Sequence, residues 1–393
     1  GTVHSLIGDV LTAAQAFTDA YRISQAEGDS YNMLLALSGL ALMQAAQGQL
    51  QATIETYHKA LDCSKGKHNQ PAPYAGIAHI GLSAILYERN ELDDALKHLV
   101  TGIELSKQWG NWEYIIYATL GLASVKWAGG DSAGMLEQIK QLRAHMENYQ
   151  LPIWSAPFVF HYQTRFLLMQ GDVAAAVDLA QNSTLGEFEH VIWARLYLAQ
   201  SEPQKALSLI EEQLAVLEVS NQRRKLIELR MLQALAYDQC GDTQRSLHAL
   251  QQVLEETQTE EYVRLFVDEG APMAKLLSEL LKEQDSAEIY STTVYVKRLL
   301  GSFDLPQAGD AVCLPVVQSA PKELSEREIE LVGCLASGLS NDEIAQRLVI
   351  TKGTVQWHLK NIYSKLDVHN RTQAVAKATV LGIVNWSVRN ERG

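Results

Sequence analysis

Long hydrophobic runs are missing from this chain. The longest near-continuous one, Met33 to Met43, is about half of the roughly 20 residues that a bilayer crossing requires, and Gln44 interrupts it. Cysteine is scarce as well: Cys63, Cys240, Cys313 and Cys334 are the four present among 393 residues, with no C-x-x-C spacing and no companion cluster of His. This argues against a zinc site or a disulfide framework, so all four read as reduced thiols. Residues 1–20 hold no basic start followed by an apolar stretch, so no secretory signal is visible, no membrane contact is expected and the cytoplasm is the default compartment. The lack of an initiating Met suggests a segment of a longer chain. A phosphate-binding G-x-x-x-x-G-K-[ST] loop is also missing, since Ser64-Lys65-Gly66-Lys67 lacks the glycine frame; no cofactor is expected in this chain. Catalysis would need convergent acid, base, nucleophile or metal groups, but His4, His58, His79, His161 and His190 are scattered without matching carboxylates or cysteines, so an enzyme is not expected.

What is present is apolar residues, at 47%, in a chain long enough for two or more domains. Its net charge of -13 is unevenly spread. Residues 322–393 carry ten Lys or Arg against eight Asp or Glu, a balance of +2, whereas residues 1–321 carry 23 against 38, a balance of -15. Within 351–377 the basic residues Lys352, Lys360, Lys365, Arg371 and Lys377 face Asp367 alone. Phosphate attraction follows such a local stripe more than the whole-chain charge.

An apolar helical stretch, a short Gly or polar break and a second amphipathic stretch recur along the first two thirds of the chain. The breaks fall at Gly8-Asp9, Gly48-Gln49, Asn90-Glu91, Gly130-Asp131, Gly171-Asp172, Ser201-Glu202 and Gly241-Asp242, spaced by 40, 42, 40, 41, 30 and 40 residues. Gly suits a helix C-terminus that needs a left-handed residue, and the following Asp suits the next N-terminus. After the breaks, Gln51-Ala52-Thr53-Ile54-Glu55-Thr56-Tyr57 resembles Asp93-Asp94-Ala95-Leu96-Lys97-His98-Leu99 and Pro203-Gln204-Lys205-Ala206-Leu207-Ser208-Leu209. Small Ala residues at fixed places let neighbouring helices approach closely. The pattern predicts stacked antiparallel helix pairs over 1–260, resembling a tetratricopeptide (TPR) solenoid with helices lengthened by about a turn. Such an array presents a curved surface suited to a peptide, a partner or a small ligand.

From Glu261 the repeats give way to two more helical stretches, a cap over 261–301. Residues 302–321, with Pro306, Pro315, Pro321 and Gly309, read as a linker of about 25 Å end-to-end distance as a flexible coil. In the last segment, 322–393, Ser325 with Glu328 forms a capping-box signature, and Ser340 with Glu343 repeats it before a short helix carrying Ile344, Ala345 and Leu348 on one face. The turn Val349-Ile350-Thr351 leads to a helix from about Lys352 to Leu366. Two helices joined this tightly are a helix-turn-helix, whose second helix enters the major groove. There Val355, Leu359, Ile362 and Leu366 point to the core, while Lys352, Gln356 and Lys360 form an outward stripe suited to base edges and phosphates. A solvated helix face is the plain alternative; the position after a helix-turn-helix favours DNA.

The pieces S-E-R-E, S-N-D-E-I-A, T-V-Q-W-H-L-K-N-I-Y-S-K-L and R-T-Q-A-V make residues 324–381 resemble the LuxR-type DNA-binding domain. The resemblance implies that Gln356, Trp357 and Lys360 meet bases and that Thr351, Lys352, Thr354 and Lys365 lie near phosphates. It also implies that the last helix, from Arg371, pairs two copies on DNA. Gln356 stands where the family commonly has Lys, which should lower nonspecific affinity, and Trp357 is bulky enough to lie along the sugar-phosphate edge instead. With the repeats and the phrase Arg264-Leu265-Phe266-Val267-Asp268-Glu269-Gly270-Ala271-Pro272-Met273, the wider chain resembles the C-terminal half of the large ATP-binding LuxR-type regulators of the MalT-like kind.

The expected fold is therefore all-α: a TPR-like helical-hairpin solenoid followed by a small four-helix LuxR-type helix-turn-helix domain. The implied function is sequence-specific transcriptional regulation, as an activator, with double-stranded DNA and RNA polymerase as partners, a homodimer on DNA, and an inducer or regulatory protein at the repeats. A TPR-type interaction adaptor is the alternative, and it leaves the C-terminal motif idle. A receiver-domain regulator is disfavoured because helical repeats precede the linker. Aromatic residues concentrate between Trp109 and Tyr162, where helical spacing suits solenoid core. Should they line an inducer pocket, Trp112, Tyr117, Trp154, His161 and Arg165 on first helices are the candidates, because first helices line the concave face of such arrays.

Overall fold

The breaks read from the sequence are places where the backbone turns left-handed. In a computed structural model, Gly48, Gly130, Gly171 and Gly241 have φ between 76° and 79°, and Asn90 and Ser201 take the same conformation at 65° and 58°. Gly8 lies outside the described residues, which are 9–65, 71–148, 156–182, 190–283 and 290–303, with 331, 333–335, 339–348, 355, 359, 362, 371 and 374 near the C-terminus. At Gly130 the Asp131 N–H reaches back to the Lys126 carbonyl at 2.8 Å, satisfying a carbonyl that the ending helix would leave unpaired. The Asp side chains then start the next helices: Asp9, Asp131, Asp172 and Asp242 accept from the N–H three residues on, at 2.9–3.1 Å.

The helices so bounded run as α1 (Val10–Glu27), α2 (Ser30–Ala46), α3 (Leu50–Cys63), α4 (Gly76–Glu88), α5 (Leu92–Trp109), α6 (Trp112–Ala128), α7 (Ser132–Asn148), α8 (Ala156–Met169) and α9 (Val173–Gln181). There follow α10 (His190–Ala199), α11 (Pro203–Ser220), α12 (Arg223–Gln239), α13 (Thr243–Thr257), the single turn α14 (Arg264–Val267), α15 (Ala271–Glu283) and α16 (Tyr290–Phe303). No strand occurs among the described residues, where Lys65 and Pro71 form an isolated bridge. None of the described helices is long and apolar enough to cross a membrane. Cys63, Cys240 and Cys334 are free thiols, and Cys313 lies outside the described residues.

Each hairpin pairs a first helix (α2, α4, α6, α8, α10, α12) with a second helix (α3, α5, α7, α9, α11, α13). The two kinds differ in which residues they bury. On α3, Leu50, Thr53, Tyr57 and Ala60 recur at three- and four-residue steps, one stripe against the neighbour. On α4, Gly76, Ile77, Ala78, Ile80, Leu82, Ser83, Ile85 and Leu86 are all buried, because a first helix is covered on several sides. Close approach of α4 and α5 needs glycine: a Cβ on Gly76 would stand 2.9 Å from the Gly102 carbonyl oxygen of α5.

The array does not stay open. In a simple solenoid each repeat meets only its neighbours, but here one hydrophobic core contains residues of α2–α6 together with residues of α10–α16. The Val263 N–H donates to the Glu88 carbonyl at 2.9 Å, and the Gln51 N–H donates to the Glu260 carboxylate at 2.9 Å. Arg89 pairs with Glu261. The C-terminal end of the repeats thus closes onto α3 and α4, and residues 262–268 sit inside the curve.

The chain divides into two compact units, Gly1–Asp310 and Ala311–Gly393. The second has its own core of Leu331, Cys334, Leu335, Ile344, Leu348, Val355, Leu359, Ile362 and Ala374, with α17 (Asn341–Leu348) as its fully described helix.

Candidate functional site

Charged residues on the first helices meet inside the closed curve. The turn α14 sends Arg264 and Asp268 there, each 2% exposed at the side chain and paired with the other. The Asp268 carboxylate also accepts from the Tyr87 hydroxyl at 2.9 Å and from Arg165 Nη2 at 3.1 Å. Glu269 accepts from Arg195 Nε at 3.1 Å and Nη2 at 2.6 Å. Arg195 Nη1 lies 2.8 Å from Glu228, which accepts from Arg224 Nη1 at 3.1 Å on its other oxygen. Arg224 Nη2 continues to Glu88 at 2.9 Å, and the second Glu88 oxygen accepts the Leu265 N–H at 2.8 Å. The Arg264 guanidinium lies 5.3 Å from the centre of the Tyr87 ring, within cation–π range.

Four guanidinium groups therefore balance four carboxylates in a chain that ties α4, α8, α10 and α12 to the turn at 264–269. Burial alone would raise the Glu228 carboxyl, but Arg195 and Arg224 beside it outweigh that and hold it well below the usual carboxylate range. Burial pushes His161 down to about 3; Glu228 opposes the shift, and Arg165, Arg195 and Arg224 add to it. Burial raises the Tyr162 phenol.

A cavity of about 110 Å³ lies against this network. Its walls are Ala84, Tyr87 and Glu88 of α4, Ser124 of α6, His161, Tyr162, Arg165, Phe166 and Met169 of α8, Arg195 of α10, Arg224 and Glu228 of α12, and Arg264, Leu265 and Asp268. Every wall helix is a first helix, apart from the 264–268 turn itself.

Of the pocket candidates drawn from the sequence, the structure brings His161 and Arg165 to this cavity. Tyr117 stands apart from it: its hydroxyl donates to Glu113 at 2.6 Å and its ring meets Phe158 edge-on at 5.0 Å between centres. Trp112 opens α6 and is 38% exposed. Trp154 lies outside the described residues. The aromatic concentration divides: Trp127 and Phe160 are core, whereas Trp112 and Phe158 are exposed. Sequence reasoning passed over Glu88, Arg195, Arg224 and Glu228. A signal existed for Arg195, the one charged residue in His190-Val191-Ile192-Trp193-Ala194-Arg195-Leu196-Tyr197-Leu198-Ala199, since an isolated charge in an apolar helix needs a buried partner.

In the second unit, the Ser340–Glu343 capping box is formed in both directions. The Ser340 N–H donates to the Glu343 carboxylate at 2.7 Å, and the Glu343 N–H approaches Ser340 Oγ at 3.4 Å. Ile344 and Leu348 of the helix so started are buried with Val355, Leu359 and Ile362. Arg371 Nη2 donates to the Leu335 carbonyl at 3.3 Å and the Leu339 carbonyl at 2.5 Å, tying residues far apart in sequence together within this unit. Gln356, Trp357 and Lys360, expected at bases, and Thr351, Lys352, Thr354 and Lys365, expected at phosphates, lie outside the described residues, as do Ser325 and Glu328.

Comparison with known proteins gives matches over both units. Residues 1–283 match the family described as MalT-like TPR region, and residues 322–378 match bacterial regulatory proteins of the luxR family. An HTH-type transcriptional regulator MalT of Yersinia enterocolitica is 25% identical over 415 residues, covering 96% of this chain and 44% of the relative. That of Yersinia pestis is 25% identical over 412 residues with the same coverage of 96% and 44%. The chain thus spans less than half the length of these curated relatives. Among solved structures, BtubC (BKLC) from P. vanneervenii matches at 14% identity and a TM-score of 0.29, covering 64% of this chain and 90% of that one.

Proposed function

The chain belongs to the MalT-like TPR family with a luxR-family C-terminal domain, and from that premise we propose that it is a sequence-specific DNA-binding transcriptional regulator. The observation that carries the reading is the second unit's core. Behind a capped helix, Ile344 and Leu348 pack with Val355, Leu359 and Ile362, within the stretch matched to the luxR family. The step of four and three residues through Val355, Leu359 and Ile362 leaves the intervening Gln356, Trp357 and Lys360 as the residues for base edges. Thr351, Lys352, Thr354 and Lys365 serve phosphates. The unit acts as a homodimer on paired half-sites, works with RNA polymerase as an activator, and does so in the cytoplasm, where the DNA is. The repeat unit receives a small inducer or a regulatory protein.

The test is retention of tiled upstream DNA fragments at two salt concentrations, comparing wild type with Gln356→Ala/Lys360→Ala. One fragment should be retained, and the double variant should lose it, at a cost of roughly 1–3 kcal/mol per base-edge contact. The salt slope of the wild type reports the number of phosphates neutralised. Failure to retain any fragment at low salt, with cell extract present to supply an inducer, would overturn the reading in favour of an interaction adaptor.

A further inference from the structure

The cavity inside the repeat unit has donors left over and acceptors already used. Each of Glu88, Glu228, Asp268 and Glu269 has an arginine partner. On α8 the position is reversed. Arg165 spends only Nη2, on Asp268, and its Nε and Nη1 have no hydrogen-bond partner among the described residues. The His161 ring touches Tyr162 edge-on at 5.7 Å, yet among the described residues neither the imidazole nitrogens nor the Tyr162 hydroxyl has a hydrogen-bond partner. All three side chains line the same cavity.

Spare donors lining a partly open polar pocket call for an acceptor-rich guest, and a guanidinium fork matches a carboxylate with two parallel N–H bonds. Size narrows the class. A cavity of about 150 Å³ accommodates benzene, and this one measures about 110 Å³. Charge narrows it further: with four arginines balanced by four carboxylates and His161 held neutral by burial, the spare charge-assisted donors are those of Arg165, one fork for a guest bearing one negative charge. We propose that the cavity is a binding site for a short monocarboxylate, held by Arg165 with His161 and Tyr162 completing its hydrogen bonds. The proposal rests on the reading of the repeat unit as receiver of a small inducer, and it names that inducer's class. It also gives the site a handle, because the guest shares the Arg165 guanidinium with Asp268 of the 264–268 turn.

The surroundings of His161 keep it neutral. Burial holds it at about 3; Glu228 from α12 favours its charged form, while Arg165 of its own helix, Arg195 of α10 and Arg224 of α12 oppose it, and Tyr162 is its ring neighbour. Between pH about 6 and about 8 the guest therefore meets a neutral imidazole N–H beside the Arg165 fork, and binding takes up no proton.

Calorimetric titration of the 393-residue chain tests this, with acetate, lactate and pyruvate as probes and lactamide and inorganic phosphate as controls, at pH about 6 and about 8, in buffers of differing ionisation enthalpy. At least one monocarboxylate should bind at one site, about equally at the two pH values and without net proton uptake, and lactamide should not bind. Arg165→Lys should weaken binding by about tenfold or more, since a point charge replaces the fork. His161→Phe and Tyr162→Phe should each weaken binding severalfold with the circular dichroism spectrum unchanged. No binding by any of the three carboxylates, binding indifferent to both Arg165→Lys and Tyr162→Phe, or binding of phosphate alone would overturn the proposal. DNA retention measured on the same samples without probe separates the two readings: carboxylate binding can fail with DNA binding intact, which sinks this inference alone.

Discussion

Arg195→Met puts the buried charge network to its hardest test. Arg195 is 7% exposed and holds two carboxylates, Glu228 at 2.8 Å and Glu269 at 2.6 Å, each 11% exposed at the side chain. Methionine fills similar space without the charge. Glu228 keeps Arg224, but Glu269 loses the one partner it has among the described residues. Breaking a buried pair from one side costs about 3–5 kcal/mol, because a charge stays behind without compensation. Urea unfolding of the repeat unit at neutral pH, followed by far-ultraviolet circular dichroism, should show a loss of that size with little change in slope. Adding Glu269→Gln should return part of it, so that the two substitutions together cost less than their sum. The pH dependence has a definite sign. Glu228 has its folded value depressed below the ordinary 4.5, so its contribution is complete above 4.5 and is lost as pH falls through the folded value. The gap between wild type and Arg195→Met should therefore narrow as pH drops below about 4.5. A loss under about 1 kcal/mol at neutral pH, with the helical spectrum intact, would refute the reasoning: water would then be solvating these charges as well as arginine does.

Three further outcomes are expected. Gly76→Val should destabilise the repeat unit by about 1–3 kcal/mol in the same urea assay, since its Cβ would meet the Gly102 backbone and the Ser106 side chain, which cannot swing away as a flexible chain end would. His79, whose Nδ1 lies 2.9 Å from that of His98, is pushed down to about 4 by burial and then by His98. Its contribution is present above 6.5 and is lost as pH falls toward 4, so stability of His79→Asn followed between those values should show a flatter profile than wild type. Arg371→Met leaves the Leu335 and Leu339 carbonyls without their donor; the second unit should lose about 1–3 kcal/mol in thermal unfolding, with weaker DNA retention as a consequence.

The local half of this fold could be read from the sequence, because each repeat break is a short-range event. Gly130 turns left-handed and Asp131 caps the next helix within three residues, whatever the rest of the chain does. The Ser340–Glu343 box is legible for the same reason. Closure of the array was not legible. It depends on Val263 finding Glu88 and on Gln51 finding Glu260, pairs more than 170 residues apart that no periodicity connects. The site shows the same division. His161 and Arg165 could be nominated from their place on a first helix, whereas Arg224 and Glu228 look in sequence like an ordinary solvated pair one helical turn apart, and only the inward curve buries them.

That burial explains why charge sits where an apolar core would be simpler. Apolar contact along a solenoid is non-directional and so more tolerant of small changes in curvature. Ion pairs with hydrogen-bond geometry are not: Glu228 can serve Arg195 and Arg224 together only at one spacing of α10 and α12, and Glu88 can serve Arg224 and the Leu265 N–H only at one closure of the curve. The 264–269 turn is fixed by four first helices at once, through Glu88 and Tyr87 on α4, Arg165 on α8, Arg195 on α10 and, through Glu228, Arg224 on α12. No member of the set can move far alone without leaving a buried charge unpaired, so a change at Arg165 alters the hold on Asp268 and, through the same turn, on Glu269 and its arginine. Five residues later the chain is already in α15. Physical continuity of this kind makes the turn an element through which, among the described residues, the interior of the repeat unit and its C-terminal helices share a set of contacts.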